Sequence, residues 1–312
     1  MGASWSLINE SILPGRPAFK ATDIPDMTGK VVLVTGGTAG IGKETARVLL
    51  TKNAKVWITA RDQSKGEATL KELKDVTGKD ANLIIVNLAN LKNIKGAAEE
   101  FNSKETQLNV LFNNAGVMVP PIDMLTDDGY DLQFGTNVLG HFYFTKLVLP
   151  ALLSTAKSSS DGIARIVNTS SNGHWFAGLN YDTMKDSPER RRASPWQLYG
   201  QSKSGNIIFA SELSRRYGDQ GIVSTSLNPG GIKTDLQRHM GSFFQWISPY
   251  YLYDVSYGAI TQLYAGTTPD GKSLNGKYLI PWARIGNPRP DTQDSEVGKK
   301  LWEYLEEQVK DV

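Results

Sequence analysis

The stretch Val31-Val32-Leu33-Val34-Thr35-Gly36-Gly37-Thr38-Ala39-Gly40-Ile41-Gly42-Lys43 decides how the rest of the chain is read. Four aliphatic residues run into a glycine-rich turn, and Ile41, Thr45, Val48 and Leu49 follow at helical spacing, which predicts strand, tight turn and helix. Glycine lets a backbone turn sharply and approach a pyrophosphate with no Cβ in the way. The helix start adds unpaired N–H groups and the positive end of its dipole. Gly36, Gly40, Ile41 and Gly42 are therefore candidate dinucleotide-binding residues. Their spacing, G-x-x-x-G-x-G, departs from the common G-x-G-x-x-G, so a plain tight turn is the competing account.

A chain of 312 residues allows one large α/β domain or two small ones, and 40% hydrophobic with 21% charged residues is ordinary for a globular protein. Lys and Arg number 34 against 32 Asp and Glu, so a net charge of +2 gives no electrostatic case for nucleic acid or an anionic membrane. The chain has no Cys, which excludes disulfides, thiolate zinc sites and a Cys nucleophile and suits a reducing compartment. His141, His174 and His239 lack ligand-like spacing, so no metal is expected. No basic segment with an apolar run precedes Pro14, and no stretch reaches about 18 apolar residues. A cytoplasmic protein without a transmembrane segment is the expectation.

Residues 1–28, with Pro14, Pro17 and Pro25, read as an arm ahead of a single domain, 29–312. Strand 55–60 ends about 20 residues past the glycine turn, where this kind of fold reads the adenosine ribose. NAD would favour an acid there. Arg61 stands there instead, a planar cation suited to a 2′-phosphate, and so NADP(H) is the expected cofactor; Lys43 would add charge, and a surface Arg61–Asp62 pair is the alternative. Helix 65–76, strand 82–86 with Asn87 at its end, helix 92–103 and strand 108–112 entering Asn113-Asn114-Ala115-Gly116 follow. Then come helix 130–156, strand 163–169 leading to Ser170 and Ser171, helix 196–217 and strand 222–227. A turn at 228–235, helix 254–265, strand 277–280 and helix 293–310 complete the chain. Alternation of helix with strands too apolar to be half exposed predicts an α/β fold: one Rossmann-type doubly wound parallel sheet with helices on both faces. Arg190-Arg191-Arg192, in the polar stretch 172–195, reads as a solvated loop face.

Tyr199 and Lys203 stand at i and i+4, one turn apart on one helix face. A phenol titrates near pH 10, and a neighbouring cation lowers that value, which makes Tyr199 a candidate general acid or base. By itself Y-x-x-x-K is common on ordinary helices. Taken in order, however, Thr35 to Gly42, Asn113-Asn114-Ala115-Gly116, Asn137, Ser171, Tyr199 to Lys203 and Pro229-Gly230 closely resemble the short-chain dehydrogenase/reductase family over about residues 29–285. Gly42-Lys43-Glu44-Thr45-Ala46 and Ala60-Arg61-Asp62 look like its retinol-dehydrogenase-like branch, including soluble fungal members.

The resemblance implies that Tyr199 is the general acid, Ser171 holds the substrate oxygen, Lys203 bonds the nicotinamide ribose and lowers the Tyr199 pKa, and Asn137 supports a proton-relay water. It further implies that Asn114, Ile232 and Thr234 touch the cofactor, and that the chain forms a homo-oligomer, a dimer or tetramer paired through helices 130–156 and 196–217. Two departures stand out. Ser171 precedes Tyr199 by 28 positions, so 175–195 looks inserted and Ser170 remains a rival. Asn87 replaces the Asp that commonly meets adenine. The aromatics Phe243, Phe244, Trp246, Tyr250, Tyr251 and Tyr253 suggest a lid over about 236–253 for a hydrophobic carbonyl or alcohol, with interface packing as the alternative. The expected function is hydride exchange between NADP(H) and such a small molecule; the alternative is a catalytically silent NADP(H)-binding regulator.

Overall fold

A strand of Val-Val-Leu-Val has no polar face to offer water, and β1 (Val31–Val34) is accordingly buried along its whole length at the centre of the sheet. The computed structural model describes residues 15–233 and 252–312. Thr234 and the lid residues up to 251 lie outside the described residues, as do residues 1–14 of the predicted arm.

The strands β1, β2 (Lys55–Ala60), β3 (Asn82–Ile85), β4 (Val110–Asn113), β5 (Ala164–Thr169), β6 (Ile222–Leu227), β7 (Tyr278–Ile280) and β8 (Arg284–Gly286) form one sheet. Its order is β3-β2-β1-β4-β5-β6-β7-β8, parallel except for the antiparallel β7–β8 pair. The order reverses between β1 and β4, which is where such a sheet opens a crevice at the strands' carboxyl ends.

Two cores flank the sheet. On one face lie α1 (Gly40–Thr51), α2 (Gln63–Thr77) and the later helix Val255–Thr267, whose apolar side chains join Val32, Val34, Val56 and Ile58. Phe19, Ile24 and Met27 are buried in this same core, so residues 15–28 pack as part of the domain's edge. On the other face lie α3 (Leu91–Lys104), α4 (Gly140–Ser158) and, after the five-residue α5 (Pro188–Arg192), α6 (Pro195–Tyr217). The Val255–Thr267 helix is α7, and α8 (Ser295–Val309) closes this second core from outside.

The predicted helix 130–156 is present as one continuous helix, Leu132–Ser158, and carries a π-helical turn, Gly135–Leu139, ahead of α4. Strand β8 was not anticipated, because a three-residue edge strand carries no periodicity to detect. The run Arg190-Arg191-Arg192 is only partly a solvated face: Arg191 and Arg192 are 67% and 77% exposed, but Arg190 is 1% exposed and paired with buried Asp131. In α6 every residue from Leu198 to Leu213 is buried within the chain, and α8 lies across α4 and α6, with Trp302 edge-on to Phe142 at 5.1 Å and 6.1 Å from Phe209.

By length and composition Leu132–Ser158 would cross a membrane, but 72% of its most apolar window is buried inside the protein, as in a core helix.

Candidate active site

The loops that leave the carboxyl ends of β1 to β6 line one cavity of about 500 Å³. After β1, Gly36 and Gly40 have positive φ (67° and 51°), which a side-chain-bearing residue adopts only with strain. A Cβ on Gly42 would stand 2.5 Å from the Gly36 carbonyl oxygen, so α1 folds tightly back on the turn only because that position is glycine. Ile41 lines the cavity beside these glycines. From β4, the Asn114 carboxamide donates to the Thr35 carbonyl (2.9 Å), locking the two strand ends together.

Arg61 and Lys65 stand at the rim beyond β2. The Asp62 carboxylate caps α2 by accepting from Lys65 N (2.7 Å), and among the described residues Arg61 has no ion pair. The Arg61–Asp62 surface pair is therefore not formed. Lys43, expected to add charge here, is held in an ion pair by Glu72. Lys65 takes that place; its position four residues after Arg61, on the first turn of a helix, was the available signal. Asn87 lines the cavity with its Oδ1 accepting from Ala89 N (3.1 Å).

The chemistry-bearing groups meet at the ends of β5 and α6. The Tyr199 hydroxyl hydrogen-bonds Ser171, whose Oγ also accepts from Gly173 N (3.0 Å) and donates to Asn172 Oδ1 (3.0 Å). Ser170 instead donates to the Lys203 carbonyl (2.7 Å) and is buried, so the two serines separate: Ser171 faces the phenol and Ser170 fastens the helix. Lys203 Nζ donates to the Thr169 carbonyl (3.0 Å) and lies 5.8 Å from the Tyr199 ring centre. Burial pushes Tyr199 up to about 12, with the Ser171 bond opposing, and pushes Lys203 down to about 8. Burial is the largest effect at Tyr199 and holds the phenol above its ordinary value in this chain by itself.

Asn137 sits behind the cavity wall on the π turn. Its Oδ1 accepts from Val117 N (2.9 Å) and its Nδ2 donates to the Val117 carbonyl and to Ser202 Oγ (both 3.0 Å), so the side chain clamps the wall. Val117, Met118, Leu132, Thr136, Phe176 and Trp196 line the same cavity as Tyr199. Phe176 and Trp196 pack edge to face at 6.0 Å, Trp196 does the same with Tyr199 at 6.4 Å, and the first two remain 53% and 40% exposed. Sequence reading missed both: Phe176 lies in the stretch taken as a polar insertion, and Trp196 opens the predicted helix 196–217, where a single aromatic does not announce a cavity wall. Pro229, Gly230 and Ile232 close the cavity after β6, and Tyr253 returns there: Lys233 N donates to its carbonyl (3.0 Å) and its N to Gly231 O (2.8 Å).

A family model described as short chain dehydrogenase matches residues 30–185. A short-chain dehydrogenase/reductase of Armillaria gallica is 53% identical over 311 residues, covering 100% of both chains. Among solved structures, an uncharacterized protein from Mycobacterium paratuberculosis superposes with a TM-score of 0.73 at 29% identity, over 94% of this chain and 97% of that one. A short chain dehydrogenase from Escherichia coli CFT073, complexed with NADPH, gives a TM-score of 0.64 at 22% identity over 82% of this chain and 97% of that one, a likeness of fold.

Proposed function

This chain belongs to the short-chain dehydrogenase/reductase family and is an oxidoreductase, and on that premise we propose that it is NADP(H)-dependent, the nicotinamide exchanging a hydride with the carbonyl or alcohol carbon of a hydrophobic small molecule. One observation carries the reading: a single cavity has at one end Arg61 and Lys65, two cations without ion pairs among the described residues, and at the other the Ser171–Tyr199 pair with Lys203. The residues fit the cofactor. Gly36, Gly40, Ile41 and Gly42 leave room for a pyrophosphate, Arg61 and Lys65 suit a 2′-phosphate, and Asn87, Asn114 and Ile232 complete the described part of the seat. The NADPH held by the Escherichia coli fold neighbour supports the same choice. Ser171 then holds the substrate oxygen, Tyr199 gives or takes the proton at that oxygen, Lys203 bonds the ribose, and Asn137 fixes the wall behind them. The intact Ser171, Tyr199 and Lys203 set speaks against a silent regulator. We place the protein in the retinol-dehydrogenase-like, carbonyl-reducing branch and in the cytoplasm, where a chain without Cys is at home.

The test is NADPH consumption with a series of aldehydes and ketones. Arg61→Ala and Lys65→Ala are each expected to weaken NADPH but not NADH binding, by about tenfold or more for a lost charge-assisted hydrogen bond. Equal affinity of the unaltered protein for NADPH and NADH, by fluorescence titration, would remove both residues from the role.

The exposed Phe176 and Trp196 beside Tyr199 support a hydrophobic substrate independently of the lid, whose Phe244 and Trp246 lie outside the described residues. Each buried methylene contributes about 0.8 kcal/mol, so two should raise kcat/KM by roughly 15-fold. Specificity is expected to climb along a lengthening aldehyde series, and Trp196→Ala should flatten the climb. Best turnover of small polar carbonyls, unaltered in that variant, would refute the hydrophobic assignment.

A further inference from the structure

His141 was set aside in the sequence as an imidazole without ligand spacing, and nothing in the reaction uses it. Yet it sits where the two ends of the cavity are joined. It is 2% exposed, on the first turn of α4, directly after the π turn that carries Asn137. Its Nδ1 lies 3.1 Å from the Asn137 carbonyl oxygen and its Nε2 lies 2.9 Å from Thr35 Oγ1.

Counting donors fixes the proton. A carbonyl only accepts, so Nδ1 carries the hydrogen. Burial, with the Lys203 charge adding to it, holds His141 down to about 4, so the ring is neutral and Nε2 is a bare acceptor. Thr35 Oγ1 already accepts from Asn114 N and Ala115 N, both at 2.9 Å, which fills its two lone pairs. Its single hydrogen has two possible acceptors, Nε2 at 2.9 Å and the Phe112 carbonyl at 3.2 Å. The Phe112 carbonyl is already served by Thr35 N (3.0 Å), whereas Nε2 would otherwise be a buried acceptor with no donor. The hydroxyl therefore points at the ring.

The result is one unbroken chain: Asn114 and Ala115 N–H to Thr35 Oγ1, Thr35 O–H to Nε2, Nδ1–H to the Asn137 carbonyl. Asn114 and Ala115 line the cofactor side of the cavity, and Asn137 clamps Val117 and Ser202, next to Lys203, on the reacting side. A Cβ on Gly116, between these sides, would stand 3.2 Å from Asn137 Oδ1 and 3.7 Å from Lys203 Nζ, so the clamp and the reacting cation lie against the same short stretch of backbone.

We propose that His141 is a positioning residue whose two ring nitrogens have separable tasks: Nε2 holds the Thr35–Asn114 turn that seats the dinucleotide, and Nδ1–H holds the π turn that backs Lys203 and Tyr199. Both tasks rest on the function proposed above; the tautomer does not.

Two amide substitutions divide the ring. His141→Gln places an acceptor near the Nε2 position and gives up the Nδ1 donor. His141→Asn places a donor near the Nδ1 position and gives up the Nε2 acceptor. The glutamine variant should bind NADPH within about threefold of the unaltered protein and lose kcat by about tenfold, as for one lost buried hydrogen bond. The asparagine variant should show the reverse, with a tenfold weaker NADPH Kd and a near-normal kcat at saturation. Thr35→Val should reproduce the asparagine pattern and Thr35→Ser should restore NADPH binding, which separates the bond from general damage to the fold. Histidine 15N NMR of the unaltered protein should show His141 as the Nδ1–H tautomer, a readout that needs neither cofactor nor turnover. An Nε2–H tautomer, or variants that lose affinity and kcat together, would overturn the inference while NADPH still binds. Failure of the unaltered protein to bind NADPH would overturn the cofactor reading itself, and with it the task assigned to Nε2.

Discussion

Tyr199→Phe is expected to bind NADPH as the unaltered protein does and to lose turnover by a factor on the order of 100 to 10,000, the usual worth of a positioned proton carrier. The change deletes one oxygen from a buried ring that otherwise keeps its edge-to-face contact with Trp196. Stability should therefore change little, and a large loss of rate can be assigned to the proton. The pH dependence follows from the same burial. With Tyr199 pushed up to about 12 and Lys203 pushed down to about 8, the pair at pH 7 is a neutral phenol beside a charged ammonium. That state can give a proton to a substrate oxygen. Reduction should hold steady below pH 8 and decline above it as Lys203 loses its charge and its grip on the ribose. Steady-state rates across this range check the direction. Near-normal turnover in Tyr199→Phe would end the proposed chemistry.

Removing Arg190 should cost about 3–5 kcal/mol of folding stability, the typical loss when a buried charge is left without its partner. Its Nε donates to Asp131 Oδ2 (3.2 Å), and its Nη2 donates to the carbonyls of Ile122 and Met124 (2.5 and 2.9 Å). Asp131 in turn accepts from Gln133 N and Phe134 N, capping the helix that begins at Leu132. Arg190→Met thus strands a carboxylate and two carbonyls in one stroke. Arg190→Met with Asp131→Asn should recover part of the loss, because the uncompensated charge is gone. Urea unfolding of both variants measures the difference; an Arg190→Met midpoint equal to that of the unaltered protein would show the pair to be energetically idle.

The contrast between Arg190 and its neighbours shows what the sequence could and could not convey. Valine and isoleucine runs announce central strands because burial on two faces leaves no room for polar residues, and β1, β2 and β4 were legible for that reason. Gly36, Gly40 and Gly42 were legible because a tight turn beneath a helix tolerates little else. Arg190 reads like Arg191 and Arg192, and only the distant Asp131 and the 122–124 carbonyls make it a core residue. Phe176 and Trp196 likewise become a cavity wall through packing on α6, which composition does not encode. The π turn and the His141 bridge depend on which carbonyls are left over after β1 and β4 are paired, a property of the assembled fold alone.

The way α8 closes the second core has a consequence for how the protein is made. Translation proceeds from the amino end, and Phe142 and Phe209 emerge from the ribosome well before Trp302, the ring that covers them. Until α8 is out of the exit tunnel, α4 and α6 present bare aromatic faces to the cell. The nascent chain therefore passes through a stage that chaperones can hold, and a stop codon ahead of residue 295 would leave the protein in that stage for good.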